Sequence, residues 1–179
     1  ALCREIDTAG AFAGSEGKKR VETIFFGGGT PSLLTLPQMS RIMEHILNVY
    51  DLADGAEITV EANPGTLSEE KLKGFKALGI NRLSLGLQSA DDRELTRLGR
   101  IHTYEDFKQT FRLARKSGLD DLNVDIMSAL PGQTLSSYIK TLEKVTGFEP
   151  EHISAYSLII EPGTAFEKLY EAGRLNLPS

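Results

Sequence analysis

Residues 81–89 read Asn81-Arg-Leu-Ser-Leu-Gly-Leu-Gln-Ser89. In an extended chain successive side chains point to opposite faces, so Leu83, Leu85 and Leu87 share one side and Ser84, Gly86 and Gln88 the other. The same division recurs on both sides of this stretch. Ile58 and Val60 oppose Glu57, Thr59 and Glu61; Leu122, Val124 and Ile126 oppose Asn123 and Asp125. Strand-like runs at residues 21–26, 57–61, 80–87, 121–126 and 152–158 are separated by helical patterns, the βα alternation of a parallel sheet. Such a sheet either lies open with helices on both faces or curls toward a barrel. A doubly covered sheet has strands that are apolar throughout, and these strands are not. The expected fold is α/β, a partial parallel (β/α) barrel with helices outside and a polar lumen; the competing reading is a polar face simply open to solvent.

The connecting segments carry their own signals. Leu36, Met39, Met43, Ile46, Leu47 and Tyr50 fall at three- and four-residue steps behind a Thr35/Gln38 capping box. A second box, Thr66-Leu-Ser-Glu69, predicts a helix that presents Leu72, Phe75 and Leu78 and stops at Gly79. The spacing further predicts helices near 91–98, 104–116 (closed by Gly118), 135–146 and 165–172.

At 179 residues, with 40% apolar and 25% charged side chains, the chain can bury one full core, so a single soluble domain is the default. A net charge of −5 speaks against broad nucleic-acid or anionic-membrane binding, which needs clustered Lys and Arg. No apolar run approaches the roughly 18 residues of a membrane span, and no signal-peptide pattern opens the chain. The single cysteine, Cys3, makes no internal disulfide, which fits a reducing, cytoplasmic compartment. The opening ALCREI reads as the middle of a helix, so a fragment with preceding sequence is expected.

In barrels of this kind ligands gather at the carboxyl ends of the strands. Those ends carry Gly27-Gly-Gly-Thr30, Glu61-Ala-Asn-Pro64, Gln88-Ser89, Asp125 and Tyr156-Ser-Leu-Ile-Ile160. Glu61, Gln88 and Asp125 are inward by alternation and could hydrogen-bond an amine or a ribose. The turn in FGGGTPS (residues 26–32) offers bare backbone beside them, but it lacks the lysine of a phosphate-binding P-loop. Plainer readings stand next to these: a turn that is only a turn, a Glu61 that merely ends its strand, and Gln88 bonding Asp125 across neighbouring strands. Arg100 and His102 read as surface residues unless their loop folds over the barrel mouth. His45 and His152 read as ordinary helix and strand-edge residues. Leu130-Pro-Gly-Gln-Thr134 shapes a rim turn.

Taken together and in order, GGGTPS, EANP, NRLSLGLQS, Gly99-Arg-Ile-His102, Asn123-Val-Asp-Ile126 with ALPGQT, and Tyr156-Ser-Leu-Ile-Ile-Glu-Pro-Gly-Thr164 resemble the radical S-adenosylmethionine proteins of the oxygen-independent coproporphyrinogen III oxidase group. The match runs from about Val21 to Gly173, and its IEPGT ending looks more like the haem-chaperone relatives. The resemblance implies a partial barrel with a [4Fe–4S] cluster at its mouth, S-adenosylmethionine as co-substrate, a porphyrinogen or haem as partner, and an electron donor. It assigns Gly28, Gly29 and Thr30 to the methionine amino group, Arg100 to the carboxylate, and Glu61 and Asp125 to ribose or amine. It also places Gln88 among the adenosylmethionine contacts and Ile159 near the adenine. One feature departs: the family's C-x-x-x-C-x-x-C loop is absent, and Cys3 falls in the helix that follows it. Three thiolates are needed for the cluster. The expectation is therefore a barrel piece without its first strand, cluster loop or carboxyl-terminal domain, inactive by itself and with a sheet edge left open. Two other readings compete, a haem-trafficking protein without oxidase turnover and an unrelated (β/α) barrel enzyme acting on a sugar or nucleotide.

Overall fold

A computed structural model of the chain describes residues 1–13 and 17–178. They form a five-stranded sheet in the order β1-β2-β3-β4-β5, with helices between successive strands. The chain divides into two compact units. The first comprises Ala1–Ala62, Thr66–Ser84 and Arg112–Asp120; the second comprises Asn63–Gly65, Leu85–Phe111 and Asp121–Ser179.

In the first unit α1 (Leu2–Ala13) precedes β1 (Arg20–Phe26), a single 3₁₀ turn (Pro31–Leu33), α2 (Leu36–Val49), β2 (Asp51–Ala62) and α3 (Glu69–Ala77). Both halves of the Thr35/Gln38 capping box are formed: Gln38 N–H donates to Thr35 Oγ1 at 3.4 Å and Thr35 N–H to Gln38 Oε1 at 2.9 Å. The helix buries Met39, Ile42 and Met43. The second box is corrected. Ser68, not Thr66, caps α3 by accepting from Lys71 N–H, while the Thr66 hydroxyl bonds Ser32 Oγ at 2.9 Å. Its apolar face holds as expected, with Leu72 and Phe75 fully buried; truncating such a phenylalanine costs about 3–5 kcal/mol.

β2 begins at Asp51, six residues before the predicted start at 57. Its early part pairs in parallel with β1 (Val21↔Leu52), the register then slips, and pairing resumes from Thr23↔Glu57 to Phe26↔Val60. Residues 53–56 occupy that slip, with Gly55 at φ +73°. Extra residues on one strand of a pair are accommodated in this way as a bulge.

β3 (Arg82–Gln88) starts in the first unit and ends in the second. The second unit continues with α4 (Asp92–Arg97), most of α5 (Tyr104–Lys116), β4 (Asp121–Ser128), α6 (Leu135–Thr146), β5 (His152–Ser157) and α7 (Ala165–Glu171). β4 and β5 pair in parallel from Asn123↔His152 to Ser128↔Ser157. Tyr104, Phe107 and Phe111 lie three and four residues apart on α5, and Phe107 stacks on Tyr104 at 6.0 Å. Phe148 meets Phe107 and Phe111 edge-on at 5.6 and 5.2 Å, the geometry aromatic quadrupoles favour.

The apolar side chains picked out by alternation are core: Ile58, Val60, Leu83, Leu85, Leu87, Leu122, Val124 and Ile126 are all buried. The polar faces are not simply open to water, since Thr59, Ser84 and Asn123 are also buried, at 1%, 5% and 4% exposure.

Candidate functional site

Of the site residues named from the sequence, Gly28, Gly29, Thr30, Glu61, Gln88 and Ile159 lie at or just beyond strand ends, whereas Asp125, expected at a strand end, lies within β4 because that strand runs on to Ser128, and Arg100 lies in the loop between α4 and α5. In the first unit β1 gives way to the glycine turn, and two different constraints select glycine there. Gly28 and Gly29 adopt φ +75° and +43°, and a Cβ on either would meet nothing within 4 Å. Backbone conformation is the reason for glycine at those two positions. At Gly27 a Cβ would lie 2.6 Å from the exposed Phe25 ring and 3.3 Å from the Glu61 carboxyl carbon, so a side chain there would require the ring to move. Gly28 N–H donates to Glu61 Oε2 at 3.0 Å, which ties the turn after β1 to the end of β2. Thr30 leads into the 3₁₀ turn, and the buried Ser32 anchors it through Thr66 and through Lys71 Nζ, which donates to its carbonyl.

In the second unit Asp125 is the centre of a ladder across β4 and β5. Its Oδ1 receives Asn123 Nδ2 at 2.7 Å and the Tyr156 hydroxyl at 2.8 Å. Asn123 Oδ1 in turn meets His152 Nδ1 at 2.6 Å and accepts from Ser154 Oγ at 3.0 Å. His152, read from the sequence as a plain edge residue, thus belongs to the polar ladder. Two donors on one oxygen fix the carboxylate plane, so Asp125 is held as an oriented acceptor.

Arg100 is half-buried and donates to Asn63 Oδ1 at 3.4 Å. Burial lowers its pKa and the field of Asp125 opposes that shift, which places a guanidinium within electrostatic reach of the carboxylate. His102 is not a surface residue: only 6% exposed, it donates through Nε2 to the Leu87 carbonyl at 3.3 Å. Burial depresses its pKa, the bond to Leu87 partly offsets this, and Arg100 depresses it further. The imidazole is therefore neutral near pH 7.

Gln88, 7% exposed, ends β3 at φ +71°. For a residue other than glycine that costs about 1–3 kcal/mol and requires a surrounding that imposes it. Ile159 lies just beyond β5 and is 71% exposed. Sequence reasoning missed Glu94 altogether. This carboxylate is 3% exposed and accepts from Ser89 Oγ (2.6 Å), Gln133 Nε2 (3.0 Å) and Ser137 Oγ (2.7 Å). In DDREL it reads as the solvent face of a short helix.

The donors of this chain do not fit a [4Fe–4S] cluster. Three thiolates are required, the sequence has one cysteine, and that residue lies on α1. Among the described residues no group of three His, Cys, Asp or Glu side chains is placed to hold a metal ion. No described helix is long and apolar enough to cross a membrane.

The arrangement is that of an α/β chain with a glycine turn after β1 and hydrogen-bonding side chains along its strands and in the loop between α4 and α5. The Radical SAM superfamily matches residues 9–145, and the chain belongs to that family. Its curated relatives include the heme chaperone HemW of Bacillus subtilis, 43% identical over 163 residues, covering 90% of this chain and 43% of the relative. The heme chaperone HemW of Escherichia coli is 41% identical over 165 residues, covering 92% and 43%. Among solved structures, coproporphyrinogen III oxidase (HemN) from Escherichia coli, titled a radical SAM enzyme, superposes with a TM-score of 0.84 at 27% identity, over 99% of this chain and 40% of that one. The chain thus spans about two fifths of the length of these relatives. Its fold is the partial parallel (β/α) barrel of the radical SAM type.

Proposed function

We propose that this chain is the adenosylmethionine-binding core of a radical SAM protein of porphyrin or haem metabolism, with the ligand received at the carboxyl ends of the strands. The observation that carries this reading is the Gly28 N–H···Glu61 bond, which holds a carboxylate at the turn where the family resemblance puts a cationic amino group. An ammonium needs acceptors, and a fixed carboxylate beside exposed backbone supplies them. By the family resemblance Gly28, Gly29 and Thr30 take the amino group, Glu61 and Asp125 the ribose or amine, Arg100 the carboxylate and Ile159 the adenine, with Gln88 a further contact. The three thiolates that a [4Fe–4S] cluster needs are not among this chain's residues; a cluster held by other residues of a full-length protein would supply the electron that radical chemistry requires. On this reading the chain is one segment of a longer cytoplasmic protein, incapable of radical chemistry by itself.

Titration calorimetry with adenosylmethionine tests the site. Saturable binding that Glu61→Gln weakens about tenfold or more supports it; saturable binding indifferent to that change removes it, and so does no binding in the cluster-loaded full chain.

The relatives' names favour haem handling over oxidation, since relatives at 41–43% identity include proteins named heme chaperones, others near 40% are named only as radical S-adenosyl methionine domain proteins, and the oxidase structure is at 27%. An anaerobic assay of the full chain with coproporphyrinogen III, adenosylmethionine and a reductant separates the two. Decarboxylation would make the protein an oxidase, and haem binding without turnover would make it a carrier.

A further inference from the structure

Two residues other than glycine hold left-handed backbone immediately at the ends of neighbouring elements of the second unit, Gln88 at the end of β3 (φ +71°) and Ala129 just after β4 (φ +57°). Such conformations persist only where the surroundings over-determine them, and they concentrate where a site needs a fixed geometry. Both are braced by the same buried carboxylate. Next to Gln88, Ser89 closes a tight turn with its N–H on the Leu87 carbonyl at 3.0 Å. Its hydroxyl donates to Glu94 Oε2 at 2.6 Å and accepts the Asp91 N–H at 3.0 Å. On the other side, Gln133 brackets Ala129: Nε2 donates to the Met127 carbonyl at 3.2 Å, and Oε1 accepts the Leu130 N–H at 3.4 Å. The same Nε2 donates to Glu94 Oε2 at 3.0 Å, and Ser137 Oγ, in the first turn of α6, donates to Oε1 at 2.7 Å.

Among the described residues, the three side chains that bond Glu94 are neutral. A carboxylate kept out of water by neutral donors alone is a poor stability device, because desolvation opposes it and hydrophobic packing would serve as well. What it does well is geometry: as an acceptor with two oxygens it can take several donors from separate segments and fix their directions together.

We propose that Glu94 is a positioning residue for adenosylmethionine: through Ser89 and Gln133 it imposes the left-handed ends of β3 and β4 and so aims the Gln88 amide at the ligand. The inference rests on the reading of Gln88 as an adenosylmethionine contact given above. Glu94 itself touches no ligand.

The test is a double-mutant cycle in the full-length, cluster-loaded protein, with adenosylmethionine affinity read by calorimetry and folding by thermal melting. Glu94→Gln is expected to weaken binding about tenfold, and Ser89→Ala about threefold, with a cooperative melt retained. In a Gln88→Ala background neither change is expected to weaken binding further, which a merely structural role would not reproduce. If Glu94→Gln does not fold, Ser89→Ala carries the same prediction. Unchanged affinity in the single variants overturns the proposal, and so does an equal loss in the Gln88→Ala background. If Gln88→Ala by itself leaves affinity intact, the failure lies with Gln88 as a contact, and the positioning role falls with it.

Discussion

The glycine turn after β1 and the Asp125 ladder across β4 and β5 each hold polar groups in place, yet they are built by opposite means. The turn is made of what is missing: two residues take left-handed angles that favour glycine, at a third a Cβ would press on the Phe25 ring, and one main-chain N–H reaches a carboxylate. The ladder is made of side chains, each oriented by the next, from His152 through Asn123 to Asp125 and Tyr156. The first should be intolerant of added bulk and the second of lost polar atoms. A region whose geometry lives in the backbone fails through conformational strain, and one whose geometry lives in hydrogen bonds fails through unpaired donors.

The sharpest way to break this contrast is Asp125→Asn, which keeps shape and removes charge. A charge-assisted hydrogen bond is worth about 1.5–3 kcal/mol, so adenosylmethionine affinity should fall about 10- to 150-fold while the melting curve stays cooperative. Next in size is Gly28→Val. At φ +75° a β-branched residue should cost about 1–2 kcal/mol of stability, read as a shift in the urea midpoint, although nothing stands in the way of its side chain. A smaller effect is expected from Tyr156→Phe, which deletes one of two donors to Asp125 Oδ1. Because Tyr156 is half exposed, affinity should drop only about fivefold and stability should barely change. The smallest concerns His102. Its folded pKa lies below the unfolded value, so the unfolded chain binds the extra proton first and stability declines as pH falls below about 6.5. Melting temperatures between about pH 7 and pH 5 should slope downward toward acid, and His102→Gln should flatten that slope.

Much of this was readable from residue order because it rests on local rules. α5 and α6 occupy 104–116 and 135–146 as their periodicity requires, and α2 begins at a capping box formed by both partners. Alternation in NRLSLGLQS identified three fully buried leucines in β3. The failures all lie where a distant partner decides. Thr66 looks like a cap, but its hydroxyl is taken by Ser32, thirty-four residues earlier, and Ser68 caps instead. DLADGA (residues 51–56) falls outside the strand expected at 57–61, yet pairing with β1 draws it into β2 around a bulge. Glu94 and His102 are polar residues in polar surroundings of sequence, and only the packing of other segments buries them. Of the proposed site, the polar-face placement of Glu61 and Asp125 was accessible to alternation, but the extension of β4 to Ser128, past Asp125, was not. Arg100 was not, because periodicity does not place a residue in the loop between two helices.

The Phe107, Phe111 and Phe148 cluster lies wholly in the second unit, and the sequence contains no tryptophan. Phe148→Trp would therefore give the molecule a single indole emitter, excited apart from the tyrosines at the red edge of the absorption band and reporting the fate of that unit alone. Set beside helix content followed by circular dichroism, its signal tells whether the two units melt as one cooperative body or in separate steps.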